Sequence, residues 1–227
     1  MKKKLTVNIL YKELLRHFGK QYWWPGETRE EIIIGAVLTQ NTNWANVEKA
    51  INNLKKNDCI SLGKIVKLHK KKLSELIKPS GYFNIKAERL KSLAEFFVNS
   101  FDYNLKKWEK IDVYKLREQL LKVKGIGEET ADSILNYAFD KKIFVVDAYT
   151  KKLNIRHRLI DGKSTYSELQ KFFTEHLKGD VEDYKELHAL IVMLGKNYCK
   201  TKPRCDVCPL NKYYKVVGNG RDCSLHL

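Results

Sequence analysis

The chain has 227 residues, 43% of them hydrophobic, which suits one large domain or two small ones around a buried core and excludes global disorder. Its 43 Lys and Arg against 27 Asp and Glu leave a formal charge of +16, so the expected partners are polyanions, either nucleic acid or an anionic membrane. No apolar run approaches the roughly 20 residues a spanning helix needs. Asn8, Lys12 and Glu13 interrupt the stretch after Lys2-Lys3-Lys4 too early for a signal peptide. These features predict a cytoplasmic protein with no membrane role, in a compartment where clustered cysteines hold metal more often than they form disulfides.

In chain order, Tyr22-Trp23-Trp24-Pro25 precedes residues 31–38, which are apolar nearly all round and predict a central buried helix. Residues 64–78 carry six lysines and one acid, Glu75; this reads as a solvated helix face and is compatible with a phosphate-facing surface. Leu90, Leu93, Ala94 and Phe97 have helical spacing, and Leu116, Leu120 and Val123 form a shorter version. Between Glu128 and Phe139, Ala131, Ile134, Leu135 and Ala138 recur at i, i+3, i+4 and i+7. Residues 143–146 form the one credible extended run. The chain reads as all-α without a solenoid repeat. Its informative connections are residues 23–27, 39–43, 79–84, 124–127 and 140–147, because functional groups concentrate on such loops.

In Lys124-Gly125-Ile126-Gly127-Glu128-Glu129-Thr130-Ala131 one helix stops and another starts at once. Gly125 and Gly127 can take positive φ and admit another backbone closely, and the second helix points unpaired N–H groups at the turn, as a phosphate site requires. An ordinary helix–helix connection would look the same. Asp147 follows Phe144-Val145-Val146, twenty residues after Gly127, and opens a further helix. A helix N-terminus favours its ionised form, and a plain N-cap is the simpler explanation of the same residue.

Together these features resemble the endonuclease III superfamily of DNA glycosylases. Three further segments agree in order: Gly35-Ala36-Val37-Leu38-Thr39-Gln40-Asn41-Thr42, Gly81-Tyr82-Phe83-Asn84-Ile85-Lys86-Ala87 and a C-terminal cysteine cluster. The resemblance covers residues 32–208. It implies an all-α, two-lobed helix-hairpin-helix glycosylase fold with a C-terminal iron–sulfur cluster loop. Residues 29–141 would form a six-helix domain carrying the hairpin, and residues 1–28 with 142–227 a second helical domain carrying the aspartate and the cysteines.

By that resemblance Asp147 matches the catalytic aspartate. Lys124, Gly125, Ile126 and Gly127, with Thr130, match the hairpin that grips DNA phosphates. Gln40, beside Asn41, matches the residue that fills the hole left by an extruded base, and Tyr82 matches the wedge beside the opposite strand. An enzyme acting on a base must take it out of the stack, so a grip, a plug and a pocket are all needed.

Two departures narrow the expectation. Bifunctional members carry a lysine just before Thr-Ala that attacks the sugar; here Glu129 stands there, and a carboxylate cannot form an imine. Trp23, Trp24, Pro25 and Trp44 flank the segments expected to line the base pocket, and indole faces attract cationic rings such as an alkylated purine. With Glu129 they look most like the 3-methyladenine DNA glycosylase branch. A monofunctional enzyme acting as a monomer on damaged double-stranded DNA is expected. The same fold acting on oxidised or mismatched pyrimidines, and a non-catalytic DNA-binding module, remain alternatives.

Cys199, Cys205, Cys208 and Cys223 are spaced x5, x2 and x14, with Cys59 apart. Four clustered thiolates suit a [4Fe–4S] cluster or zinc. The resemblance favours the cluster, although Tyr214 stands where the family's last cysteine would fall and Cys223 would have to reach back. A remnant site with free thiols is the other reading.

Overall fold

Wherever apolar residues recur at helical spacing the chain is helical, and no strand occurs among the described residues. The computed structural model describes residues 4–100 and 103–213. The chain divides into two compact units, Trp24–Lys141 and Met1–Trp23 with Lys142–Leu227.

In the unit Trp24–Lys141, α2 (Arg29–Leu38) starts where the Thr28 hydroxyl accepts the Glu31 N–H at 3.2 Å. Its residues 33–38 are all buried, as expected for a helix with no polar face. Around it lie α3 (Trp44–Lys56), α4 (Leu62–Lys67), α5 (Lys70–Leu76), α6 (Phe83–Asn99), α7 (Val113–Leu121) and α8 (Glu128–Ser133). From α8 the chain widens into a fully buried π-helical turn, Ile134–Ala138. Ile33, Leu38, Leu54, Leu90, Phe97 and Trp108 are fully buried, each contributing on the order of 1.5–3 kcal/mol by leaving water. Phe97, Trp108 and Phe139 pack ring on ring with centroids 4.8–5.9 Å apart.

The other unit holds α1 (Val7–Phe18), α9 (Ala148–His157), α10 (Tyr166–His176) and α11 (Val181–Asn197). Its core includes Leu10, Leu14, Phe144, Phe173, Leu187 and Leu190, with Phe144 stacked on Phe173 at 4.4 Å. Residues 143–146 are buried but pair with no strand. Side chains satisfy their backbone instead: Gln170 donates to the Phe144 carbonyl at 2.7 Å, and the Tyr166 hydroxyl accepts the Val146 N–H at 3.3 Å. This buried run delivers the chain to Asp147 at the start of α9. No helix among the described residues is long and apolar enough to cross a membrane.

Candidate functional site

Asp147 caps α9, with Oδ1 accepting from the Thr150 N–H at 2.7 Å and from the Thr150 hydroxyl at 2.9 Å. The plain-cap reading of this residue is therefore correct as far as it goes. Its second oxygen has a different neighbour, because His188 Nε2 of α11 lies 3.7 Å from Oδ2. That separation is too long for a formed hydrogen bond. Asp147 as a whole is only 8% exposed. Burial pushes its pKa up, but the His188 imidazole and the Thr150 donors outweigh burial and hold it below the usual aspartate value. A buried carboxylate kept ionised in this way can stabilise positive charge on a neighbouring group.

The same helix orders the chain before the tryptophans. Glu186 accepts from the backbone N–H groups of Gln21 at 2.6 Å and Tyr22 at 3.4 Å. Tyr22 is left-handed, with φ 49°, and exposed. Lys196 Nζ stands 5.2 Å from the Trp23 ring centroid, a cation–π contact. Trp23 and Asp147 thus both take their settings from α11.

In the unit Trp24–Lys141, Trp24 meets Trp44 edge to face at 5.4 Å and Tyr137 at 5.0 Å. The two tryptophans form one aromatic corner rather than parallel walls. Tyr137, on the π-helical turn, joins that corner without having been singled out in the sequence. Pro25 is exposed, and Glu129 is exposed on the first turn of α8.

Gly125 adopts φ +85°, which favours glycine. Gly127 does not use the freedom a glycine has to take positive φ; its φ is −96°, and it caps α8. A Cβ on Gly127 would meet nothing within 4 Å, so neither conformation nor internal packing requires glycine there. Ile126 is buried and anchors the turn, while Lys124 is exposed. Across the hairpin, Arg117 of α7 grips the fully buried Asp132 of α8 with two bonds of 2.7 and 3.1 Å, a geometry suited to bidentate pairing.

Gln40 leans on this hairpin. Its Nε2 donates to the Gly125 carbonyl at 3.2 Å and to Thr130 Oγ1 at 3.0 Å, and its Oε1 accepts from Arg89 at 2.6 Å. Asn41 beside it is exposed at φ 52°, and Tyr82 is 70% exposed at φ 45° just before α6. Lys86 ties the loops carrying Gln40 and Tyr82 together, donating to the Leu38 carbonyl at 2.8 Å and the Ser80 carbonyl at 2.7 Å. Burial, with Arg89 adding like charge, pulls its pKa down to about 8.

Cys199, Cys205 and Cys208 line one cavity of about 20 Å³ together with Arg156 and His157. Arg156 Nη1 is 3.0 Å from Cys199 Sγ, and burial pushes the Cys208 thiol pKa up. The donors suit a cluster in kind, but no three His, Cys, Asp or Glu groups among the described residues stand within metal-binding reach. Cys223 lies outside the described residues.

The family model described as HhH-GPD superfamily base excision DNA repair protein matches residues 34–178. A chain of Methanocaldococcus jannaschii described as a candidate DNA repair glycosylase is 48% identical over 206 residues, covering 90% of this chain and 93% of its own. Among solved structures, an H. pylori 3-methyladenine DNA glycosylase bound to 1,N6-ethenoadenine is 33% identical. It superposes with a TM-score of 0.72, covering 85% of this chain and 98% of its own. A trapped endonuclease III–DNA covalent intermediate shares the fold at 20% identity, with a TM-score of 0.77 and coverage of 91% and 92%.

Proposed function

The chain belongs to the HhH-GPD superfamily of base excision DNA repair proteins, and from that premise we propose that it is a monofunctional glycosylase releasing alkylated purines such as 3-methyladenine from duplex DNA. The observation that carries this reading is the buried Asp147 carboxylate, held ionised with one oxygen locked by Thr150. A cationic base is already a good leaving group. As the C1′–N bond breaks, the base takes the bonding electron pair and departs neutral, and positive charge develops on the sugar. Asp147 stabilises that charge and accepts the proton of the water that adds to C1′. No amine is required, and Glu129 at the family's lysine position supplies none.

The tryptophan corner and the 33% identity to a 3-methyladenine glycosylase support the choice of base. The open face of Gly127 and the exposed Tyr82 support close approach by DNA. The reading takes the protein as a cytoplasmic monomer. It also takes Cys199, Cys205, Cys208 and Cys223 as ligands of a [4Fe–4S] cluster. Such a cluster would hold the C-terminal loop and takes no part in the step above.

The test is a panel of duplexes carrying 3-methyladenine, ethenoadenine, oxidised pyrimidines, and uracil or thymine mismatches, each incubated with and without borohydride. Release from alkylated purines with no trapped enzyme–DNA band is expected. Release from pyrimidines alone, or an efficient trapped band, contradicts it. Binding without any release would leave a sensing module.

A further inference from the structure

Two helices meet so closely behind Asp147 that one of them needs a glycine. A Cβ on Gly195 of α11 would overlap the Tyr149 ring of α9, so α9 is seated on α11 within two residues of Asp147. Seven residues before Gly195, and therefore two turns along the same face, stands His188. It is 6% exposed, with Nε2 pointing toward Asp147 Oδ2 at 3.7 Å. The carboxylate's other oxygen is saturated by Thr150. Oδ2 is thus the oxygen left for chemistry, and His188 is what α11 sets against it.

We infer that His188 is a positioning residue for the glycosylase reaction, keeping the buried Asp147 ionised and aimed without neutralising it. This rests on the reading of Asp147 as the catalytic carboxylate. Burial alone favours the neutral acid, and a neutral acid could not stabilise a cationic sugar. A tight ion pair would be no better, because it would cancel the charge the reaction needs. At 3.7 Å the imidazole contributes its field while leaving Oδ2 unbonded, a distance that can shorten when substrate excludes water. Besides His188, Tyr149 faces the carboxylate from α9, and burial together with the Asp147 charge pushes its phenol pKa up. Glu186, on α11, is engaged with the Gln21 and Tyr22 backbone.

The experiment compares His188→Leu, His188→Asn and His188→Gln. Glutamine can place an N–H donor where Nε2 stands, and asparagine falls short. His188→Leu and His188→Asn should slow single-turnover base release by about tenfold or more while duplex affinity stays within about twofold, and His188→Gln should recover most of the rate. The Asp147 carboxyl carbon, followed by NMR against pH without DNA, should titrate about one pH unit higher in His188→Leu than in wild type. A wild-type rate in folded His188→Asn or His188→Leu overturns the inference. So does a glutamine variant as slow as leucine, or an unmoved Asp147 titration. If wild type releases no base from any lesion, the glycosylase reading has failed, and the NMR comparison still decides the His188–Asp147 coupling.

Discussion

Arg89 donates from Nη1 to Gln40 Oε1 across 2.6 Å, on a loop 49 residues away in sequence. The contact fixes which way round the Gln40 amide lies, since its Nε2 must then face the Gly125 carbonyl and Thr130. Arg89 also occupies the space a Gly125 side chain would need. The residue expected to fill an emptied base position and the hairpin expected to grip phosphate are therefore joined through one guanidinium. Both lie in the unit Trp24–Lys141.

Gly125→Ala should consequently do more than strain a turn. The new methyl overlaps Arg89 and forces a non-glycine residue to φ +85°, a backbone cost of about 1–2 kcal/mol before any steric term. Thermal unfolding should fall by several degrees and duplex affinity should weaken. Gly127→Ala, which meets nothing inside the protein, should weaken DNA binding and cost only the difference between Gly and Ala as the N-cap of α8, less than Gly125→Ala. Equal thermal midpoints for wild type and Gly125→Ala would refute this account of the turn.

Trp24→Ala and Trp44→Ala should each slow release of cationic alkylpurines, because stacking and cation–π attraction contribute on the order of 1 kcal/mol apiece. Since the two rings touch edge to face, their effects should not add; the double variant should lose less than the product of the single losses. Single-turnover rates on 3-methyladenine DNA decide it, and unchanged rates in both variants would place the pocket elsewhere.

Lys86 gives the pH dependence of stability a specific sign. Its folded pKa, pulled down to about 8 by burial and then by Arg89, lies below the ordinary lysine value. The penalty for burying the charge is present below pH 8. It is relieved as pH rises toward the unfolded value near 10.4. Compared with Lys86→Met, wild type should gain stability across that window, by at most about 3 kcal/mol. Parallel stability curves for the two proteins would show that the lysine titrates normally.

Protein purified without oxygen should contain iron and sulfide and absorb broadly in the visible. Stoichiometric zinc, or no metal, would contradict the cluster reading. Cys59, which stands apart in sequence and is a free thiol, should be replaceable by Ser without effect on iron content.

Local pattern made the helices readable. Residues 33–38 have no polar face and α2 is buried; Gly125 sits between two helical patterns and takes the positive φ. What the pattern hid is charged and long-range. Lys86 lies in an ordinary-looking helix, yet it is buried because the carbonyls of Leu38, at the end of α2, and of Ser80 receive its ammonium. Arg117 and Asp132 look like surface residues of two helices until the hairpin folds them together. His188 is 41 residues from Asp147, on an apolar helix where a lone histidine reads as filler. The extended run at residues 143–146 was readable as extended, but not that side chains rather than a strand would satisfy it.

The most direct test of the central claim is single-turnover release of 3-methyladenine from duplex DNA by wild type and Asp147→Asn, with duplex affinity measured alongside. Asparagine caps helices as well as aspartate does, so α9 and the fold should survive while the charge is lost. The account predicts a rate loss of about a hundredfold or more, with duplex affinity within about twofold of wild type. Near-wild-type release by Asp147→Asn would contradict it.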